Sequence, residues 1–282
     1  MRPGRAGVEG VRAELYQEYW GLTEKPFENT PDPRFLYQSA DGAEVFARLF
    51  YAMESNRGAA MLTGATGCGK TIMARALVQE FKVERLEVAF VTTPARNADE
   101  FLRELLYQMG EEAGSSDRAA VLHRVHELLY ENYSANKITL VLIEEGHLLQ
   151  DQEILEEIRL LLNFQLDDAF LVTLLLVGQN PMAQRLGEFT SLDQRIAARG
   201  TLKPLTVEEV NEYVGHRLLI AGRKEPVFTE GAVQLIHRYS GGVPRKINNI
   251  CDISLVIGSS RKLQSIDEDW MERLIRAESS YA

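Results

Sequence analysis

The sequence predicts an α/β protein in which a parallel sheet is covered by helices, followed by a small all-helical domain. Three observations support this prediction. Short continuous apolar runs alternate with segments of helical periodicity from residue 59 to residue 177, which is typical of strands buried on both faces. One of these runs leads through a glycine-rich turn into a helix. Beyond residue 205, helical patterns follow one another without a strand pattern between them.

Length and composition are those of a soluble globular protein. The chain has 282 residues, of which 45% are apolar and 26% are charged, and this length accommodates an α/β core and a second small domain. The sequence shows neither an apolar run of about 20 residues, as needed to cross a bilayer, nor an apolar signal core near its start. Its two cysteines offer no disulfide framework. We therefore expect a cytoplasmic protein without a transmembrane segment.

The predicted elements define three regions of the chain. Residues 1–15 are expected to be a flexible tail, 16–205 an α/β domain, and 206–282 a helical domain, here called the lid. Within the α/β domain, the apolar and helical patterns predict these elements in order: helix 40–55, strand 59–63, helix 70–81, strand 86–92, helices 98–109 and 117–134, strand 138–143, helix 152–163, strand 170–177 and a short strand 201–203. Capping residues and periodicity predict four helices in the lid: 206–221, 229–239, 244–258 and 267–277.

The glycine-rich turn carries the most specific motif in the sequence. The pattern G-x-x-x-x-G-K-[ST] of a P-loop runs from Gly64 to Thr71 without exception. Glycines permit positive φ values, and the N–H groups of the loop and of the following helix bind phosphate oxygens. Lys70 is predicted to contact the β- and γ-phosphates and Thr71 to bind Mg²⁺. A chance glycine turn is disfavoured by the strand before it and the helix after it. The predicted ATP or ADP contacts are Gly64, Ala65, Thr66, Gly67, Cys68, Gly69, Lys70, Thr71 and Ile72.

Two carboxylates follow the predicted strand 138–143. In nucleotide-hydrolysing proteins, the strand beside the P-loop commonly ends in Asp, which organises Mg²⁺, and then Glu, which polarises the attacking water. Here the pair is Glu144 and Glu145, so the predicted Mg²⁺ ligand is one methylene longer than expected. Successive strand residues point in opposite directions, which permits two distinct roles; a solvated strand end is the alternative. For His147, a helix start or an interface is favoured over metal binding, because no second ligand lies at metal spacing.

The P-loop, the carboxylate pair and the helical C-terminal region together resemble the AAA+ ATPases. The chain is most similar to the GspA/ExeA-type ATPases of secretion systems and their relatives in exopolysaccharide gene clusters, over about residues 19–277. More distant relatives are the transposition-regulator ATPases, which bind DNA as filaments. The segments that carry the resemblance are, in order, "YWGLTEKPFENTPDPRFLY", "LLLNFQLDD", "LLLVGQNPM", "LDQRIAARGTLKPL" and "YSGGVPRKINNICDISL".

The resemblance implies catalytic roles for four further residues. Gln179 matches the sensor-1 polar residue at a strand end, and Arg245 matches the sensor-2 arginine of the lid, which faces the γ-phosphate. Arg195 and Arg199, expected on one helix face, are candidates for the arginine finger given to a neighbouring subunit. Arg199 is preferred because it lies nearer the end of the helix leading into strand 201–203. For each arginine the alternative is a solvated surface charge.

The resemblance also implies a function and partners. The chain is expected to bind Mg-ATP, to form a ring or filament of identical subunits, to hydrolyse ATP, and to remodel or time the assembly of a protein partner in secretion or exopolysaccharide export. An ATP-dependent scaffold with little hydrolysis is the alternative. DNA is a possible partner, but the net charge of −10 disfavours it. Segment 19–37 is expected to cover the nucleotide pocket with Pro26, Phe27 and Leu36 near the base, or else to pack as plain surface.

Overall fold

The computed structural model of the protein describes residues 15–92, 95–112, 117–149, 151–166 and 169–279. The predicted flexible tail over residues 1–15 lies, except for its last residue, outside these ranges. The elements in the described ranges are, in chain order, α1 (Leu15–Trp20), α2 (Ala40–Glu54), β1 (Ala59–Gly64), α3 (Lys70–Gln79), β2 (Leu86–Val91), α4 (Ala98–Gln108), α5 (Arg118–Ser134), β3 (Ile138–Ile143), α6 (Gln152–Leu161), β4 (Thr173–Gly178), α7 (Pro181–Glu188), α8 (Thr190–Asp193), β5 (Ile196–Leu202), α9 (Val207–Ile220), α10 (Glu230–Ser240), α11 (Pro244–Ser260) and α12 (Glu268–Ser279).

The described residues form two compact units. The α/β unit comprises residues 31–203, and the helical unit combines residues 15–30 with residues 204–279. The boundary at residue 204 lies beside the predicted one at 205/206. The division differs from the predicted one at the start of the chain, because residues 16–30 belong to the helical unit and not to the α/β unit.

A five-stranded parallel sheet forms the centre of the α/β unit. Its strand order is β2-β3-β4-β1-β5, and every neighbouring pair is parallel. All residues of β1, β3 and β4 are buried, as continuous apolar runs require when both faces of a sheet are covered. The predicted parallel sheet is therefore confirmed.

The two faces of the sheet belong to two separate hydrophobic clusters. Because strand side chains alternate between faces, Met61 and Ile143 pack with α4, α5, α6, α7 and α8 on one side. Leu62, Leu142 and Val177 pack with α2 and α3 on the other. The sheet is thus held between two helical layers, and the loops that follow its parallel strands meet at one edge.

Strand β5 is longer than predicted and replaces a predicted helix. It runs from Ile196, whereas the sequence predicts a strand only over 201–203. The segment contains two alanines and an arginine, which favour a helix by propensity, but pairing with β1 overrides that preference. At Gly200 a Cβ atom would overlap Val45 of α2, so this glycine allows α2 to pack closely on the strand. The prediction that Arg195 and Arg199 share a helix face is wrong.

The structure corrects the region around β4 as well. The strand begins at Thr173 and not at residue 170, because Phe170 makes an isolated antiparallel bridge with Gln165. Helices α7 and α8 are absent from the sequence prediction. Helix α7 begins with Pro181 at its first position, where the missing N–H and fixed φ of proline are favourable.

The four predicted helices of the lid are confirmed as α9 to α12. Thr206 and Glu209 form a capping box at the start of α9, in which each side chain accepts a hydrogen bond from the other's backbone N–H. Thr229 caps α10 by accepting from the N–H of Ala232. In the described part of the chain, every helix is too short or too polar to span a membrane.

Residues 15–30 are built into the helical unit by buried hydrogen bonds. The Trp20 indole donates to the carbonyl oxygen of Leu255 over 2.9 Å. Arg217, buried on α9, donates to the carbonyl oxygens of Pro26 and Glu28. A buried guanidinium needs acceptors of this kind, so the segment and α9 depend on each other. Tyr16, Trp20 and Phe27 of this segment are buried and belong to the core of the helical unit.

The side chains predicted to lie near the base belong to two different units. Phe27 is 2% exposed and meets Phe228 edge-on in the helical unit, with ring centroids 6.1 Å apart. Leu36 lies in the α/β unit and packs against the hydrophobic cluster that contains α2 and α3. Phe27 is thus a core residue of the helical unit, and contact of the segment with the base stays a prediction.

Candidate functional site

The loop between β1 and α3 has the backbone geometry of a phosphate cradle. Gly67 and Gly69 have φ values of +83° and +93°, which glycine adopts without strain. Gly69 stands at the N-cap of α3, and since it has no side chain to cap the helix, the first N–H groups of α3 point into the loop. At Gly64 a Cβ atom would lie 2.8 Å from the carbonyl oxygen of Leu202. The glycines of the motif are therefore required by the backbone path.

The side chains of the loop place a cation at the centre of the cradle. The Lys70 ammonium donates to the carbonyl oxygens of Gly64 and Ala65, both over 3.0 Å. Thr71 and Ile72 follow on the first turn of α3 and are half-buried. The structure therefore brings the predicted phosphate-binding residues together, with the Lys70 charge directly over the loop.

Cys68 is a packing residue of the loop. Its side chain is buried, and burial raises the pKa of the thiol above its ordinary value, although the nearby Lys70 ammonium opposes this shift. A thiol held in its protonated form is unreactive. Contact of the Cys68 backbone with phosphate stays a prediction.

The two carboxylates after β3 leave the strand in different ways. The N–H of Glu144 donates to Val91 O over 2.9 Å and so continues the pairing of β3 with β2. Glu145 has φ +51° and ψ +31°, in the left-handed region, and its side chain is 53% exposed. A non-glycine residue in this region costs of order 1 kcal/mol, and such residues are frequent at functional sites. The chain thus turns out of the sheet at Glu145, and this turn separates the two carboxylates.

The strand with the carboxylates is not the neighbour of the P-loop strand. Strand β4 lies between β1 and β3, so the prediction that β3 adjoins β1 is wrong. Met61, Ile143 and Leu176 are level across the three strands. Gln179 directly follows β4, and this predicted sensor therefore lies between the phosphate loop and the carboxylate pair.

His147 joins two of the predicted site residues, and the sequence prediction does not include it in the site. Its ring Nε2 is 2.9 Å from Gln179 Nε2, and its Nδ1 is 3.4 Å from Glu145 Oε2. The only indication in the sequence is the short distance from the carboxylate pair. A 3-10 turn over Gly146–Leu148 directs the His147 ring toward the end of β4, and this turn has no clear sequence pattern.

The loop that carries His147 is fixed against β4 and α7. At Gly178 a Cβ atom would lie 3.0 Å from the backbone nitrogen of His147 and 2.7 Å from Met182 Sδ, so only glycine permits this approach. One Arg185 nitrogen donates to the carbonyl oxygens of His147 and Leu149, both over 3.2 Å. The backbone position of His147 is therefore set by these contacts.

The two finger candidates lie at and within the edge strand β5. Arg195 directly precedes β5 and donates to the carbonyl oxygen of Leu162 over 3.1 Å and to the side-chain amide oxygen of Asn163 over 2.7 Å. Arg199 lies inside β5, and its guanidinium pairs with the Asp193 carboxylate over 2.7 Å. The charge of Arg199 is thus balanced within its own subunit, whereas the contacts of Arg195 are to neutral groups.

Arg245 lies in the helical unit, on the first turn of α11. It is exposed and follows Pro244, which occupies the first helical position as predicted. Lys246 is beside it, and the first turn has no acidic residue. Two cations at the positive end of a helix dipole are unfavourable unless an anion is near. The sensor-2 role of Arg245 stays a prediction.

The donor atoms near the P-loop suit a magnesium nucleotide. Mg²⁺ prefers oxygen ligands and takes several of them from water and phosphate, so few protein ligands are needed. Thr71 offers a hydroxyl and Glu144 a carboxylate, and both are half-buried. Among the described residues, no cluster of three or more His, Cys, Asp or Glu residues forms a complete protein cage for a metal. The assignment of Thr71 and Glu144 as ligands of this ion stays a prediction.

Comparison with known proteins identifies the α/β unit. A family model described as an AAA domain matches residues 53–186. General secretion pathway protein A of Aeromonas hydrophila is 37% identical over 255 residues, which cover 88% of this chain. This chain carries an AAA domain of the GspA/ExeA type. The matched region covers 45% of the secretion protein's own length, so the AAA domain corresponds to less than half of that relative.

Solved structures with the same fold include ORC, Cdc6 and RuvB proteins. The ORC2 protein of Aeropyrum pernix, solved with ADPNP and ADP, has a TM-score of 0.70 at 18% identity, with 90% of this chain and 71% of that chain covered. Cdc6p of Pyrobaculum aerophilum has a TM-score of 0.63 at 16% identity, with 87% and 68% covered. RuvB of Thermotoga maritima has a TM-score of 0.59 at 17% identity, with 86% and 73% covered. At these identities the likeness shows the fold alone.

The match to the AAA domain separates the site residues into two groups. The loop, both carboxylates, His147 and Gln179 lie within residues 53–186. Arg195, Arg199 and Arg245 lie beyond that range. The phosphate and carboxylate parts of the site thus belong to the matched AAA domain, and the roles of the three arginines are proposals.

Proposed function

We propose that this protein binds Mg-ATP, hydrolyses it to ADP and phosphate, and assembles with nucleotide into oligomers that remodel or time the assembly of a protein partner. The observation that carries the proposal is the phosphate cradle, with Lys70 over two loop carbonyls and a carboxylate pair at the same edge of the sheet. Preorganised positive groups around a transferring phosphoryl group are the main source of catalysis in such enzymes.

The residues divide the work between binding and catalysis. The N–H groups of residues 64–72 and the Lys70 ammonium hold the phosphates. Thr71 and Glu144 would hold Mg²⁺, which when bound supplies charge that neutralises phosphate oxygens. Glu145, turned out of the strand, orients the attacking water. Gln179 contacts the terminal phosphate from the end of β4.

Phosphate release from ATP by the purified protein tests this proposal. We expect hydrolysis that requires Mg²⁺. The longer side chain of Glu144 favours a second candidate, a scaffold that assembles on ATP and hydrolyses little. For that candidate, light scattering would show assembly with ATP while phosphate release stayed at background. Stimulation by added DNA would favour a filament on nucleic acid, which the net charge of −10 opposes.

Replacing Glu144 by aspartate tests the departure from the usual residue. Shortening the side chain by one methylene is expected to lower the Mg²⁺ concentration for half-maximal hydrolysis about fivefold, or ~1 kcal/mol, the usual value of one polar contact. The measurement is the hydrolysis rate across a magnesium titration. Glu153→Asp, the same change at an exposed position on α6, is the control. A large loss of activity in Glu144→Asp would show that the site has adapted to glutamate.

We also propose that a neighbouring subunit completes each pocket with an arginine. Strand β5 is an edge of the sheet, where a second subunit has access. The sequence favours Arg199 because of its expected place where a helix leads into a strand. In the structure β5 begins at Ile196, so Arg195 and not Arg199 occupies that place. The Asp193 carboxylate already neutralises Arg199. Both observations support Arg195 as the first candidate and Arg199 as the second.

Mixing of two inactive variants tests the arginine finger. Arg195→Ala is expected to bind ATP nearly normally, because Lys70 and Thr71 remain, but to hydrolyse at least tenfold more slowly. Lys70→Ala protein is expected to bind ATP at least tenfold more weakly and to hydrolyse it poorly, but it still offers Arg195, so adding it to Arg195→Ala protein is expected to restore phosphate release. Arg199→Ala is tested in the same way. Co-assembly of the two variants in each mixture is checked first. The arginine whose alanine variant regains phosphate release in the mixture is the finger, and the arginine whose variant shows no rescue is not.

The cellular context is also part of the proposal. Similarity to a protein named for the general secretion pathway supports a role in secretion or in exopolysaccharide export, with a protein partner. Both cysteines are free and buried, which suits a reducing cytoplasm. Capture of the partner by Glu145→Gln protein, held in its ATP-bound form, is the direct way to identify it.

A further inference from the structure

Three side chains connect the end of β4 with the end of β3. Gln179 Nε2 lies 2.9 Å from His147 Nε2. An amide nitrogen only donates hydrogen bonds, so a hydrogen bond here requires the tautomer in which His147 Nε2 accepts and Nδ1 carries the ring proton. This Nδ1–H faces Glu145, whose Oε2 is 3.4 Å away. The order of the contacts is therefore Gln179, His147, Glu145.

The contact between His147 and Glu145 is close but not yet a full hydrogen bond. His147 Nδ1 is buried and has no hydrogen-bond partner among the described residues, and 3.4 Å is long for an N–H to oxygen bond. A buried donor without an acceptor is costly, so movement of the Glu145 carboxylate toward the ring is favourable. The His147 side chain is 14% exposed and that of Glu145 is 53% exposed, so Glu145 has the freedom to make this movement.

The backbone at Gln179 and at His147 is held in place by the surrounding structure. Gln179 directly follows β4, all of whose residues are buried. The backbone of His147 is fixed by the close approach of Gly178 and by the hydrogen bond from Arg185. Since the backbone at His147 is fixed and the Glu145 side chain is 53% exposed, the imidazole determines where the Glu145 carboxylate comes to rest.

We propose that His147 is a positioning residue that couples Gln179 to Glu145. Contact of Gln179 with the terminal phosphate orients the imidazole, and the Nδ1–H then holds the Glu145 carboxylate in the direction needed to orient the attacking water. The proposal rests on the proposed ATP hydrolysis for its consequence, but the chain of contacts itself is a property of the folded protein. His147 does not touch the reacting atoms and acts through its two neighbours.

Nitrogen NMR of the histidine rings tests the contacts between Gln179, His147 and Glu145 without any ATP hydrolysis. The protein has five histidines, and His147→Asn identifies the signals of His147 by their loss. We expect a neutral ring protonated on Nδ1 in the parent protein, and a change in this pattern in Gln179→Ala, which removes the donor to Nε2. A proton on Nε2, or a pattern indifferent to Gln179→Ala, would overturn the proposal.

A double-mutant cycle in the hydrolysis rate tests the coupling. His147→Ala and Gln179→Ala are each expected to lower kcat about tenfold while the Kd for ATP changes less than about twofold. Because both act through one chain, the double variant is expected to lose about tenfold and not about a hundredfold. Multiplied losses in a double variant that remains folded would show that the two residues act independently.

Two further variants separate positioning from packing. His147→Asn keeps an N–H near the place of Nδ1, so we expect it to lose less kcat than His147→Ala at equal thermal stability. His123→Ala, at a 73% exposed position on α5, is the control and is expected to leave kcat unchanged. Equal losses in His147→Asn and His147→Ala would contradict the proposal. If the parent protein releases no phosphate, the proposed function fails. The NMR pattern alone then shows whether the contacts between Gln179, His147 and Glu145 exist.

Discussion

Lys70→Ala is expected to lower the affinity for ATP at least tenfold, which corresponds to about 1.4 kcal/mol. The Lys70 ammonium is the cation over the loop carbonyls of Gly64 and Ala65, so the substitution removes the charge that pairs with the β- and γ-phosphates. The backbone N–H groups of the loop remain and keep a weak anion site. Calorimetric titration with ATP measures the loss.

Lys82→Ala is the matched control for this prediction. Lys82 is an exposed lysine of the same unit, beyond the end of α3, and its loss changes the net charge equally. We expect its affinity for ATP to stay within about twofold of the parent value, ~0.4 kcal/mol. If Lys70→Ala also bound ATP with unchanged affinity, the phosphate site would have to lie elsewhere in the chain.

Glu145→Gln is expected to lower kcat about a hundredfold or more, the range for loss of a positioned base, while ATP still binds. The amide keeps the size and shape of the carboxylate but loses the charge that orients water. ATP then persists in the pocket, so light scattering with ATP present is expected to show larger assemblies than for the parent protein. Phosphate release and equilibrium ATP binding are the two measurements.

Glu153→Gln provides the control for the carboxylate. Glu153 is exposed on the first turn of α6, eight positions further along the chain from Glu145, and we expect this variant to hydrolyse ATP at the parent rate. Hydrolysis at the parent rate by Glu145→Gln itself would show that another group orients the water.

The parts of the fold that the sequence predicts well are those with one dominant cause. Strand β3 has the predicted bounds, and β1 extends one residue further, because an apolar run buried on both faces has few alternatives. Strand β5 is mispredicted because its small residues favour a helix locally. Its strand conformation depends on pairing with β1 and on the close approach of α2 at Gly200. Both partners are distant in sequence.

The same distinction explains what the sequence reveals of the site. The P-loop can be predicted from the sequence because its whole motif lies in eight consecutive residues. His147 is not readable, since its role depends on a 3-10 turn and on Gln179, 32 residues away. The strand order that places Gln179 between the loop and the carboxylates is likewise a property of the sheet as a whole.

The packing of residues 15–30 into the helical unit has a consequence for how the chain folds during synthesis. Arg217 is synthesised 191 residues after Pro26, whose carbonyl it binds, and Leu255 is synthesised 235 residues after Trp20. At usual translation speeds the interval is roughly tens of seconds, long enough for the intervening α/β unit to fold first. Throughout that time Trp20 and Phe27 lack the helices that later bury them. Packing of the helical unit against residues 15–30 therefore follows synthesis of Leu255 and is a long-range step in folding.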